Sequence, residues 1–200
     1  MTPDYYYTIE KPAIAEFKDR GSKFIAYAFP INDSADFKKK LQDLKTDHPK
    51  AVHHCFAYRL GADGNNFRSS DDGEPSGTAG KPILGQIDSK KLMNVAIIVV
   101  RYFGGTLLGV PGLINAYKTV AALALQTTPI VQKAIGINYH LQFDYTKMND
   151  VMQIIKKYNC SIINQQMELF CRMDIRIQKN NHNLVLLKLK EVQGLELSKI

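Results

Sequence analysis

Residues 94–103 contain the run Val95-Ala96-Ile97-Ile98-Val99-Val100, which ends at Arg101. Successive strand residues point to opposite faces, so an unbroken apolar run needs cover on both sides. This chain must therefore build a sheet with a buried central strand. The next residues are Gly104-Gly105-Thr106-Leu107-Leu108-Gly109-Val110-Pro111-Gly112. A helix is expected after them to about Gln126, with Leu113, Ile114, Tyr117, Val120, Ala121 and Ala124 on its apolar face.

The remaining elements follow from periodicity and turn chemistry. Residues 14–30 read as a hairpin around Asp19-Arg20-Gly21-Ser22. Phe37, Leu41 and Leu44 recur at helical spacing, with Ser34 placed to cap the helix and Pro49 to end it. Residues 51–60 read as a strand, 61–80 as a long glycine-containing loop with a short strand near Phe67, and 81–91 as a short helix. Thr127-Thr128-Pro129 breaks the long helix and marks an expected boundary between domains at 1–129 and 130–200. Beyond it, a strand over 132–145, a helix over 147–158, strands over 161–168 and 170–178, a helix over 181–192 and a short strand at 195–197 give the order β-α-β-β-α-β of a ferredoxin-like unit. The fold class expected is α+β with two domains.

Composition narrows the setting. The apolar fraction is 45% and the charged fraction 22%, as in globular proteins. No apolar run approaches the roughly 18 residues needed to span a bilayer, and the opening MTPDYYYTIEKP lacks the pattern of a secretory leader. Cys55, Cys160 and Cys171 are odd in number and widely spaced, which suits a reducing compartment. A cytoplasmic protein without a membrane partner is expected. The net charge of +7 and pI near 9.2 favour polyanions such as RNA, ribosomes or an acidic protein.

Three motifs carry possible chemistry. In the first, Arg101 leads into Gly104, Gly105, Thr106, Gly109 and Gly112 ahead of a helix, with Asn115 beyond. Glycines and free helix N–H groups suit phosphate contact, although neither a Walker A loop nor G-x-G-x-x-G spacing is present. The second is the dense polar stretch from Arg68 to Lys81, holding Ser70, Asp71, Asp72, Glu74, Ser76 and Thr78. Its carboxylates suit a hard cation such as Mg²⁺ and its cations suit phosphate; a turn-rich structural loop uses the same residues, and neither a metal nor a cofactor is expected. In the third, His53 and Cys55 share one strand face and His54 takes the other. One histidine is expected toward a helix-covered core and the other toward an open side. Cys55 reads as a small buried side chain. Arg172 and Arg176 share a face of a later strand, where solvated charge is the default.

Several blocks together resemble the YigZ/IMPACT family: Ser22-Lys23-Phe24-Ile25-Ala26, His53-His54-Cys55-Phe56-Ala57-Tyr58-Arg59, Ser70-Asp71-Asp72-Gly73-Glu74-Pro75-Ser76-Gly77-Thr78-Ala79-Gly80, and Val99-Val100-Arg101-Tyr102-Phe103-Gly104-Gly105 with Leu108-Gly109 and Gly112-Leu113. They cover most of residues 14–127. The resemblance implies an N-terminal β-α-β domain like domain 2 of a ribosomal small-subunit protein, followed by a ferredoxin-like domain. It also implies kinship with parts of elongation factor G that touch RNA. The eukaryotic IMPACT protein regulates translation in amino-acid starvation with the help of an added RWD domain. Because this chain starts almost at the IMPACT domain, that kinase-pathway role is not expected here.

The function expected is a non-catalytic, translation-associated regulator that binds RNA or the ribosome. Phosphate contacts are assigned to Arg68, Lys81, Arg101 and the glycine loop. The alternatives are an enzyme acting on a phosphorylated or nucleotide substrate, and a protein–protein adaptor. The acidic loop and the glycine loop are expected to meet in space.

Overall fold

The computed structural model describes residues 4–200; the opening Met1-Thr2-Pro3 of the segment read as leader-free lies outside them. The described chain forms two compact units, one of Tyr6–Lys133 and one holding Ala134–Ile200 with Asp4 and Tyr5. No helix of the described residues is long and apolar enough to cross a membrane.

The first unit is built on a five-stranded antiparallel sheet. Its strands are β2 (Ala13–Asp19), β3 (Ser22–Pro30), β4 (His53–Leu60), β5 (Asn66–Ser70) and β6 (Val95–Tyr102), in the order β2-β3-β6-β4-β5. The predicted central strand is β6. Its residues from Val95 to Arg101 are buried, because helices cover both faces. On one side α2 (Gly80–Ser89) and α3 (Gly109–Gln126) bring Ile83, Ile87, Leu113, Tyr117 and Val120 against Val95, Ile97, Val99, Cys55 and Ala57. On the other side α1 (Ser34–Asp47) brings Phe37 and Leu44 against Ala96, Ile98, Phe56 and Tyr58.

The sheet order has a chiral consequence. Strands β3 and β4 both run antiparallel to β6, so they are parallel to each other and joined through α1. By the same logic β5 and β6 are parallel and joined through α2. These two crossovers run in opposite senses across the sheet on strands of opposite direction. A half-turn about the sheet normal relates two such connections and preserves the covered face. Since α1 and α2 lie on opposite faces, the crossovers differ in hand, and one departs from the strong right-handed preference.

Turn chemistry places the elements as expected, with some differences. The β2–β3 turn uses Arg20 and Gly21 at φ 44 and 81, the left-handed pair of a tight hairpin. Asp33, not Ser34, caps α1: its carboxylate accepts from the Ala35 and Asp36 amides at 2.8 Å. The strand read over 132–145 is two strands, β7 (Ile130–Ala134) and β8 (Gly136–Asp144). β7 pairs with β1 (Tyr5–Ile9), a strand with no counterpart in the sequence reading, and the Met93 amide bonds the Tyr7 carbonyl at 2.8 Å. α3 begins at Gly109, so Gly109 and Gly112 belong to its first turn.

The second unit has the ferredoxin-like order. β8 is followed by α4 (Met148–Lys157), β9 (Ser161–Gln166), β10 (Phe170–Gln178), α5 (His182–Lys190) and β11 (Glu196–Lys199), with the sheet ordered β11-β8-β10-β9. Leu141, Phe143, Met173, Ile175 and Ile177 face Val151, Ile155, Val185 and Leu189. The alternating residues carry the polar partners His140 to Asp174 at 2.7 Å and Arg176 to Asn138 at 3.0 Å. The three cysteines are free.

Candidate functional site

The polar loop before α2 and the strand end before the glycine loop meet over the α2/α3 face of the first sheet. Arg101 is the last buried residue of β6, and register puts it opposite His53 on β4 and Phe24 on β3. Its Nη1 donates to Glu74 Oε1 at 2.5 Å. Tyr117 on α3 donates its hydroxyl to the same oxygen at 2.8 Å. Arg101 is 5% exposed and Glu74 8%, so both partners of this ion pair are inside the fold. Each charge of such a pair is compensated by the other, while Arg101 Nε is buried without a hydrogen-bond partner among the described residues.

The pair extends into a network. Cys55 Sγ donates toward the Asp71 carbonyl at 2.9 Å and lies 3.3 Å from the Tyr117 hydroxyl. Burial pushes the Cys55 thiol and the Tyr117 phenol well above their ordinary ranges, so neither is set up as a nucleophile or base. His53 Nδ1 lies 2.7 Å from the Asp72 carbonyl. A carbonyl only accepts, so Nδ1 carries the hydrogen, and Nε2 lies 3.9 Å from Glu74 Oε1. His54 points to the α1 side. That side is covered by α1, not open, and His54 Nε2 is buried without a hydrogen-bond partner among the described residues.

The acidic residues brace the loop. Asp71 Oδ1 accepts from the Ala79 and Gly80 amides at 2.9 and 2.8 Å, and its Oδ2 accepts from Gly77 at 2.8 Å. This occupies the start of α2, which has no other side-chain cap. Burial raises the Asp71 carboxyl, but the Gly77, Gly80 and Ala79 amides and the Lys81 charge outweigh it and hold it below its ordinary value. Asp72, at φ 42, accepts from the His54 amide at 2.6 Å. Ser70 Oγ accepts from the Asp72 amide, and Thr78 donates to the Pro75 carbonyl. Among the described residues no group of three or more His, Cys, Asp or Glu side chains is placed to hold a metal. Ser76 and Lys81 are exposed.

The glycine loop is held from below by backbone contact. Ser22 Oγ accepts from the Gly104 amide at 3.2 Å and from Arg101 Nη2 at 3.4 Å. A Cβ on Gly104 would stand 1.8 Å from the Gly21 carbonyl carbon, so two backbones touch here and only glycine fits. Gly105 takes φ 85 over open space. Above this seat the loop is open. Gly104, Gly105, Thr106, Gly109 and Asn115 are exposed, with Phe103 at 48%, Leu107 at 81% and Val110 at 52%. α3 starts without a side-chain cap. The Arg101 guanidinium lies 5.4 Å from the Phe24 ring centroid and 5.7 Å from that of Phe103.

The structure thus joins the acidic loop to the root of the glycine loop through Glu74, Arg101 and Tyr117. It does not join Arg68 to them. Arg68 pairs in register with Tyr58 and lies 5.9 Å over the Phe56 ring, on the α1 side of the sheet. The Arg101 charge faces buried Glu74 instead of solvent. Ser22 and the Tyr117 hydroxyl escaped the reading of single residues. Tyr117 looked like one more apolar position on α3, although a buried phenol needs a polar partner. Ser22 was visible only as a turn residue and within the Ser22-Lys23-Phe24 block.

These features define a two-unit α+β protein with a buried ion pair beneath two glycine-rich loops. Residues 20–125 match the family model of the Impact N-terminal domain. An IMPACT family member of Haemophilus influenzae is 36% identical over 80% of this chain and 79% of its own length. The IMPACT family member YigZ of Escherichia coli is 33% identical over 78% of each chain. A crystal structure of a hypothetical protein superposes with a TM-score of 0.77 at 29% identity, covering 99% of this chain and 98% of that one. The chain belongs to the IMPACT family.

Proposed function

We propose that this protein is a non-catalytic, translation-associated regulator that binds RNA or the ribosome through the exposed surface of residues 103–115. The observation that carries this reading is the contrast between the two loops. The carboxylates of the acidic loop are spent on Arg101, Tyr117 and backbone amides, while the glycine loop stays exposed. No Asp or Glu occurs between Asp88 and Asp144, so nothing in that segment repels a phosphate backbone. The start of α3, which has no side-chain cap, supplies N–H groups to an anion. Lys81 and Lys118, both exposed, add charge. Membership of a family whose eukaryotic namesake regulates translation supports the same reading.

Co-sedimentation with ribosomal subunits at low and moderate salt tests it. Binding should fall steeply with salt as counterions return to the RNA. Thr106→Glu and Lys118→Glu should each weaken it, because they place or reverse charge on the exposed surface without touching the core. Arg68→Ala, on the opposite face of the sheet, should matter less. Absence of binding at low salt would remove the reading and favour a protein partner.

A further inference from the structure

We propose that Phe103 is a preformed stacking platform for an unpaired RNA base; this rests on the RNA-binding reading above and specifies single-stranded RNA as its target. Behind the ring runs a chain of close contacts through Arg101 and Phe24 to Tyr117. Tyr117 meets Phe24 edge-on at 5.2 Å, the Arg101 guanidinium lies 5.4 Å from the Phe24 centroid, and the Phe103 ring lies 5.7 Å beyond the same guanidinium. Phe24 and Tyr117 are fully buried and Arg101 nearly so, whereas Phe103 remains 48% exposed. The guanidinium is fixed by Glu74 on Nη1 and approached by Ser22 on Nη2. The Phe103 ring therefore lies over a guanidinium that is itself held by the fold, and about half of the side chain is open to solvent.

A cation behind the ring holds it in place at little entropic cost to binding, because the Arg101 side chain is already ordered. A base has a flat π-face, and stacking on exposed aromatics is how proteins hold unpaired nucleotides with little sequence preference. The surroundings suit the phosphates on either side of such a base. Gly104, next in the chain, packs on Gly21 of the hairpin tip, whose neighbour Arg20 is exposed. Bases in a duplex are already stacked and cannot lie on the ring, so the platform selects single strands.

The chain contains no tryptophan, which makes the test direct. Phe103→Trp adds a single indole whose emission reports stacking. The full-length variant is titrated with a short mixed-sequence single-stranded RNA and with the same strand annealed to its complement. The expected result is quenching by the single strand, little by the duplex, and roughly 5- to 150-fold weaker single-strand binding for Phe103→Ala. Phe170→Ala, which removes an exposed phenylalanine of the second unit, should leave affinity within about twofold. Thermal midpoints of all variants establish that they are folded. RNA bound with full affinity by Phe103→Ala, or with the indole unquenched, overturns the platform and leaves the RNA-binding reading standing. Preference for the duplex does the same. Loss of ribosome co-sedimentation by Phe103→Ala without loss of RNA affinity overturns it in favour of a ribosomal protein contact. No RNA binding by the wild type removes both.

Discussion

Arg101 Nη1 donates to Glu74 Oε1 across 2.5 Å, with both side chains almost wholly inside the first unit. The bond fastens the polar loop before α2 to the end of the central strand. Replacing one partner leaves the other charge buried and uncompensated. Glu74→Gln should therefore cost about 3–5 kcal/mol in urea unfolding of this unit. Glu74→Gln combined with Arg101→Met should cost less than the sum of the single changes, because the double variant buries no lone charge. Additive losses would show that the pair does not act as a unit.

Asp71 makes a separate prediction. Its carboxylate serves the amides of Gly77, Ala79 and Gly80, so Asp71→Ala should cost about 1–2 kcal/mol, in the range of a lost helix cap. Amide hydrogen exchange should rise at these three residues before it rises in β6. The carboxyl is held below its ordinary value near 3.8. Its contribution is thus complete above that value and is lost as pH falls through the lower folded one.

Gly104 and Gly105 are adjacent yet should respond differently to alanine. At Gly104 a Cβ meets the Gly21 backbone at 1.8 Å, and no side chain can yield to relieve it. Gly104→Ala should cost at least about 3 kcal/mol and displace the hairpin tip. Gly105 has open space but a left-handed φ, so Gly105→Ala should cost only about 1–2 kcal/mol. Chemical denaturation of both variants checks the order.

His54 gives the first unit an acid-sensitive point. Burial lowers its ring below the ordinary 6.5, and Lys45 and His48 push the same way, while Asp72 and the Leu44 carbonyl oppose. The fold favours the neutral ring. Stability from this group is therefore full above 6.5 and declines as pH falls from there to the lower folded value, because only the unfolded chain takes up the proton. For one proton the slope has an upper limit of about 1.4 kcal/mol per pH unit. His54→Phe should flatten the dependence of the melting temperature as pH falls below the ordinary histidine value of 6.5. An unchanged slope would assign the effect to other groups.

Much of the architecture was legible in local patterns. The apolar run of β6 announced a strand needing cover on both faces, and the helical spacing of Phe37, Leu41 and Leu44 announced α1. Arg20-Gly21 marked the hairpin turn. β1 was not legible, because Tyr5–Ile9 pairs with a strand more than a hundred residues away and has no periodicity of its own that demands it. The split of β7 from β8 was hidden because only β8 alternates, and the largely exposed β7 has no period that marks it as a separate strand.

The site divided along the same line. Residue identity by itself determined that residues 68–115 concentrate carboxylates, hydroxyls and glycines beyond what turns require, and strand alternation placed His53 and His54 on opposite faces. Only the tertiary structure decided what each group does. It turned Arg101 inward onto Glu74, gave Tyr117 a polar partner, spent Asp71 on a helix start and sent Arg68 to the far face. The reason is physical. Side-chain chemistry and local periodicity are properties of neighbouring residues, whereas burial and pairing depend on which distant segments the sheet order brings together. A charge that reads as a free phosphate ligand in the chain becomes, once desolvated, a group that must find its counter-ion inside the fold.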